Sequence, residues 1–314
     1  MGFLRLLLLL PAFTLWLAPA GAGEGPSVVA SIRPVHSLVA GVMEGVGEPY
    51  LLVRGGGSPH AYAMRPSDAR ALDQAQVVFW IGEAMETFLA RPIEVLAGDA
   101  DAAPFARTQG IRLLARRAES AWDERGPDWH GPDWHDAGPE DPGRSDMHLW
   151  LDPENAIAMV ADIAARLAAA DPDRAQIYTA NAARIARQLS ALDRELAETL
   201  TPLQDKPYIV FHDAYQYLEA RYGLTSVGSM TDNAEQGPGA GRLSRIRERL
   251  GISGALCVFA EPQFERGLVD TLASGTGAQA AVLDPLGAGL PVGADLYADL
   301  MRAMAASLVA CLLR

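Results

Sequence analysis

Three of the six histidines in this 314-residue chain lie beside short apolar runs far apart in sequence. His60 follows Pro49-Tyr-Leu-Leu-Val53, His148 lies next to Trp150-Leu-Asp-Pro153, and His212 follows Tyr208-Ile-Val-Phe211. A fourth run, Ala280-Ala-Val-Leu283, ends on Asp284. Side chains at the carboxyl ends of parallel strands face one crevice, so these residues can converge there. Three imidazoles and one carboxylate make a first-row metal site, with Zn2+ the leading candidate.

Each residue has a plainer reading as well. His148 could cap a strand, His212 the following helix, and Asp284 the turn at Pro285. His60 sits in a Gly/Pro loop rather than on an apolar face, which favours a ligand. Glu261, one residue past a strand, could be a ligand but suits better a partner that orients a histidine. His36, among Val35, Leu38 and Val39, reads as a packed or hydrogen-bonded residue.

The elements that must position these groups alternate between strand and helix, which points to parallel sheets covered on both faces. Strands are expected at 28–32, 49–53 and 77–81, with helices at 34–44, from a cap at Ser67, and at 85–96. Asp152-Pro153 reads as N-cap and first helical residue of a helix to about 170. Ile185, Leu189, Leu192, Leu196 and Leu200 then recur at three- and four-residue spacing. A helix from 172 to about 199 would span on the order of 42 Å, long enough to act as a rigid connector. After it come strands at 208–211, 255–260 and 280–283, helices at 213–221 and 263–274, and a final helix from about Ala294.

Residues 1–22 read as a secretory signal peptide: Arg5, an apolar stretch Leu6–Leu17, and the small residues Ala20-Gly21-Ala22. No Cys follows the apolar stretch, which argues against a lipid anchor. The two cysteines, Cys257 and Cys311, favour a disulfide in an exported chain, two buried thiols being the alternative. A net charge of −13, with Lys206 the single lysine, argues against nucleic acid and anionic lipid as partners. Between 116 and 146 periodicity is lost. This acidic stretch carries the tandem repeat Gly126-Pro-Asp-Trp-His130 and Gly131-Pro-Asp-Trp-His135, whose histidines suit either a weak auxiliary metal site or a solvated loop.

Taken together, the motifs resemble a family. They are Ser31-Ile-Arg-Pro-Val-His-Ser-Leu38, Gly57-Ser-Pro-His-Ala-Tyr62 with Arg65-Pro-Ser-Asp68, and His148-Leu-Trp-Leu-Asp-Pro153. Phe211-His-Asp-Ala-Tyr215, Phe259-Ala-Glu-Pro-Gln-Phe264 and Asp284-Pro-Leu-Gly287 complete the set. From about residue 27 to 314 the chain resembles the periplasmic metal-binding proteins of ABC importers, in their ZnuA-like zinc branch.

The resemblance implies an α/β fold of two four-stranded, parallel-sheet (βα)4 lobes joined by one long rigid helix, with metal in the cleft between them. On that reading residues 23–170 form the N-terminal lobe, with the acidic loop 116–146 inserted, 171–203 the linker helix, and 204–314 the C-terminal lobe. His60, His148 and His212 match the family's imidazole ligands, and Cys257 with Cys311 its disulfide. The manganese branch tends to carry Glu where His212 stands. Some zinc members carry Glu directly before the first ligand; here that residue is Pro59, which leaves Asp284, Glu261 or a water for the fourth position. Thr231-Asp-Asn-Ala-Glu-Gln-Gly-Pro238 departs from the family's apolar version.

The function so implied is a monomeric, periplasmic solute-binding protein, not an enzyme, that captures Zn2+ and delivers it to an ABC importer membrane permease. The alternatives are the same fold handling Mn2+, a periplasmic metallochaperone, or a zinc hydrolase. The last lacks a His-Glu-x-x-His motif, a Gly-x-Ser-x-Gly elbow and a clear general base.

Overall fold

A computed structural model of the chain describes residues 25–117, 144–231 and 237–314. The expected signal segment, most of the acidic loop with His130 and His135, and residues 232–236 lie outside the described residues.

The first sheet is built from β1 (Val28–Ala30), β2 (Tyr50–Leu51) and β3 (Val77–Phe79), all parallel, in the order β2-β1-β3. Val28, Val29, Ala30, Val77, Val78 and Phe79 are all buried, as a sheet covered on both faces requires. The fold class expected from sequence is therefore met, but this sheet has three regular strands among the described residues where four were implied. The chain at Asp101 takes the fourth place as a single parallel bridge to Val77, with Val78 N donating to Asp101 O at 2.8 Å. Pro104 has no N–H and interrupts the ladder, which resumes with Phe105 N on Trp80 O and Ala106 N on Ile81 O. A short antiparallel pair, β4 (Leu114–Ala115) with β5 (Ser145–Asp146), brackets the acidic segment.

The second sheet holds β6 (Tyr208–His212), β7 (Ser226–Thr231), β8 (Cys257–Ala260) and β9 (Gln279–Val282), parallel and ordered β7-β6-β8-β9. β7 escaped the sequence reading because Ser226-Val-Gly-Ser-Met-Thr231 is half polar, yet most of it is buried at the sheet edge.

Helices fill the crossovers. α1 (Arg33–Val42) and α2 (Pro66–Asp73) follow β1 and β2. The cap of α2 is Arg65 rather than Ser67: Pro66 presets the first helical φ, and Asp68 reaches back to Arg65 N at 2.7 Å. α3 (Ala90–Leu96) starts five residues later than expected. Pro92 explains the delay, since proline is tolerated only in the first turn. In α4 (Pro153–Ala170), Asp152 caps as expected, accepting Glu154 N at 3.0 Å.

α5 (Ala175–Leu200) has 26 residues and runs about 39 Å. Its buried stripe is Tyr178, Ala182, Ile185, Leu189, Leu192, Leu196 and Leu200. The remaining helices are α6 (Gln216–Tyr222), α7 (Ala240–Ser253), α8 (Gly267–Ala273) and α9 (Leu296–Leu312). α5 packs on α4, α1 and α9. One apolar cluster contains Val28 and Phe79 of the first sheet, Leu192 of α5, Tyr208 and Phe259 of the second sheet, and Met301 of α9. The expected disulfide is present: Cys257 in β8 joins Cys311 in α9, with Cα atoms 6.3 Å apart. Among the described residues no helix is long and apolar enough to cross a membrane.

Candidate metal centre

The geometry of the two sheets decides where the histidines go. His212 is the last residue of β6, at the carboxyl end of a parallel sheet. His148 lies two residues past β5, where the chain turns into α4. His60 lies in the loop after β2; Gly55, at φ +65°, supplies a turn that a side chain would disfavour.

The three rings meet. Their centroids are 5.1 Å (His148–His212), 5.5 Å (His60–His148) and 5.8 Å (His60–His212) apart. One nitrogen from each ring lies within 4.8 Å of the others, which makes these three a candidate metal-holding group.

Two carboxylates fix the rings. Asp146 Oδ1 accepts both the backbone N–H of His148, at 3.0 Å, and its Nδ1–H, at 2.7 Å. Glu261 Oε1, one residue past β8, accepts Nδ1–H of His212 at 2.6 Å. With both Nδ1–H groups held by carboxylates, the Nε2 atoms of the two rings face each other at 3.2 Å. Two nitrogens so placed share either a proton, held on His212, or a metal ion. A tetrahedral zinc with Zn–N bonds of 2.0–2.1 Å would set two ligand nitrogens about 3.3 Å apart.

Electrostatics keep most of the site neutral before a cation arrives. Burial, then the neighbouring imidazoles, pushes His60 down to about 2. Burial and the charge of His212 likewise lower His148. Burial opposes charge on His212 too, but the Glu261 carboxylate outweighs it and holds this imidazole above its ordinary value. Burial lifts Asp146 to about 6, against the N–H of His148 and the charge of Arg117.

The surroundings are apolar and tight. Pro59, Trp150, Phe264, Pro285 and Leu286 line the space beside the rings, together with Ser58 and Gln263. The free volume is about 10 Å3, the room of about one water. A single ion with one small ligand suits such a space.

Asp284 lies beside this pocket but outside the imidazole group. Its oxygens accept the N–H groups of Leu286 and Gly287, each at 3.0 Å, and of Ala288 at 2.6 Å. That is the turn-capping arrangement. Glu261 holds a histidine, and His36 is buried with Nε2 3.0 Å from Pro49 O.

Sequence reasoning missed Asp146 and Arg117. Asp146 carried a legible signal, an Asp-x-His spacing. Arg117 carried none: it is buried, and its guanidinium binds Asp213, the residue after His212, and Glu219 Oε2 at 2.7 Å.

Comparison with known proteins places this geometry in context. Residues 28–311 match the family model ZnuA, described as zinc-uptake complex component A, periplasmic. The chain is 46% identical over 310 residues to the high-affinity zinc uptake system protein ZnuA of Brucella abortus, covering 93% of each chain. It is 38% identical over 291 residues to the ZnuA of Yersinia pestis, covering 91% of each. A crystal structure of ZnuA superposes with a TM-score of 0.76 at 25% identity, covering 92% of this chain and all of that one. FpvC from Pseudomonas aeruginosa, in complex with Mn2+, shares the fold with a TM-score of 0.75 at 22% identity. With nearly the whole described length matched, the chain belongs to the ZnuA family of periplasmic zinc-uptake components.

Proposed function

We propose that the protein captures Zn2+ in the periplasm and delivers it to an ABC-type membrane permease, with His60, His148 and His212 as the protein ligands. The observation that carries this reading is the pair of Nε2 atoms 3.2 Å apart, each on a ring whose Nδ1 is held by a carboxylate. Nitrogen donors in that arrangement favour zinc over manganese, which prefers oxygen. Family membership supports the transport role. Asp284 and Glu261 are both engaged elsewhere, so the fourth position falls to a water.

The wider arrangement follows the same reading. Residues 23–170 and 204–314 form two lobes joined by the helix of 171–203, and the ligands come from both sides. Residues 1–22 direct export without a lipid anchor, the protein works as a monomer, and His130 and His135 give the acidic loop a weaker hold on zinc. The small pocket argues against hydrolysis. Binding weakens as pH falls, because protons compete for the ligand nitrogens.

The test is the metal content of the mature protein after chelation and reloading, beside a His212→Ala variant. One zinc per chain, lost in the variant and not displaced by excess Mn2+, is the expected result. Zinc loading indifferent to His212 would overturn the assignment of the site.

A further inference from the structure

Gln263 lines the same pocket as the three histidines, and no part of the ligand set uses it. Its amide is fixed at one end. Nε2 donates to Asp284 Oδ1 at 3.2 Å, and Asp284 is itself locked by the N–H groups of Leu286, Gly287 and Ala288. A carboxylate only accepts, so Nε2 faces Asp284 and Oε1 is the other end of the amide. That Oε1 is buried and has no hydrogen-bond partner. A buried carbonyl oxygen without a donor is costly, and such groups are rarely left so in a functional state.

The donor has to come from the pocket. Its other lining residues are mostly apolar, Pro59, Trp150, Phe264, Pro285 and Leu286, and the Ser58 hydroxyl and the His60 ring, which also line it, make no hydrogen bond to Oε1. Trp150 Nε1 is already bound to Pro285 O at 2.9 Å, and the Nδ1–H groups of His148 and His212 are held by Asp146 and Glu261. The space left is about one water in size. A water in the fourth position of a three-imidazole metal has two strongly polarised O–H groups to donate.

Resting on the reading of the site as a zinc-capture centre, we propose that Gln263 is a positioning residue whose Oε1 accepts a hydrogen bond from the metal-bound water, with Asp284 holding the amide in place. Asp284 thus serves the metal through Gln263 and not as a ligand. The arrangement also bears on selectivity. A neutral acceptor at a fixed point favours a fourth ligand that is a single water, which fits a four-coordinate ion better than one that keeps several waters.

The test compares the mature wild-type protein with Gln263→Leu by zinc titration against a chromophoric chelator and by the visible spectrum of the Co2+-loaded form. Gln263→Leu is expected to bind zinc about tenfold more weakly, the usual effect of losing a partner that orients a metal's coordination sphere. Its Co2+ bands should change in position or intensity, because the fourth ligand has lost its acceptor. Gln263→Met, close in length and without the amide, should behave the same way and serves should the leucine variant not fold. Wild-type zinc affinity and an unaltered Co2+ spectrum in these variants would overturn the role of Gln263 while leaving zinc capture intact. A wild-type protein that takes up neither ion would overturn both.

Discussion

Arg117 and Asp213 form a buried ion pair that connects the base of the acidic segment to the residue after His212. Nε of Arg117 lies 2.9 Å from Asp213 Oδ2, a second guanidinium nitrogen binds Oδ1, and a third binds Glu219 Oε2 at 2.7 Å. Tyr208 OH completes the network on Glu219 Oε1 at 3.2 Å. The two carboxylates hold the guanidinium well above its ordinary range despite the cost of burial. The pair therefore fixes the start of α6 against the strands that carry His148.

Replacing Arg117 with alanine would remove the guanidinium that pairs with the buried Glu219 carboxylate and the half-buried Asp213. The expected loss is about 3 kcal/mol of stability, typical of breaking a buried pair from one side. Zinc binding should weaken as well, since the carboxyl end of β6 loses a support. Urea denaturation and zinc titration of the same preparation would read both; an unchanged denaturation midpoint would refute the structural part.

Glu261 bears on affinity more directly. Glu261→Gln keeps the size of the side chain but removes the charge that orients and polarises His212. Zinc affinity is expected to fall about 10- to 100-fold. The thermal midpoint without metal should fall, because the buried His212 imidazole loses the charge that favours its protonated form. Isothermal titration under chelator competition would measure the first and calorimetric scanning the second.

How far the sequence reveals this site depends on what each residue's neighbours show. His60, His148 and His212 were legible because each stands beside a compact apolar run, and the rule for parallel sheets brings the ends of such runs together. The stripe of α5 was legible because its period is unbroken over many turns. Asp284 was ambiguous for a physical reason: a carboxylate after a strand can bind a metal or the backbone of the next turn, and only the three N–H contacts decide. Gln263 and Arg117 were invisible because their partners lie at least 21 residues away in sequence. α7 was overlooked although Leu243, Ile246 and Leu250 keep helical spacing, because the arginines between them mask the pattern.

The disulfide separates stability from binding. Its loop spans 54 residues, which in the chain-entropy picture constrains the unfolded state by about 4 kcal/mol. Cys257 begins β8 and Glu261 lies past its other end, about 13 Å away along the strand. Replacing both cysteines by serine should therefore lower the thermal midpoint clearly while changing zinc affinity less than about twofold. A large affinity change would show that the bridge reaches the site.

Glu86 predicts a pH dependence unrelated to metal. It is fully buried and accepts from Ser31 Oγ and from the N–H groups of Ile81 and Gly82. Burial outweighs those donors and lifts the carboxyl to about 7, against an unfolded value of 4.5. The folded state thus binds the proton more tightly, so this group costs nothing below about pH 4.5. Between there and about pH 7 its charging opposes folding, by on the order of 3 kcal/mol at the upper end. Metal-free protein should show a falling urea midpoint from pH 5 to 8, and Glu86→Gln should flatten that slope. Equal slopes in both proteins would rule out Glu86 as the cause.

The seat of α9 on α1 sets the order in which the chain can assemble. Tyr297 N donates to Ser37 Oγ at 2.9 Å, and Ser37 Oγ donates to Ala294 O at 2.8 Å, across some 260 residues. Contacts of such separation slow folding, since a long loop must close before they contribute. A nascent chain that has reached residue 290 still lacks the helix that covers α1 and α5. The N-terminal helix α1 therefore gains its full cover only when the final stretch of the chain has been made.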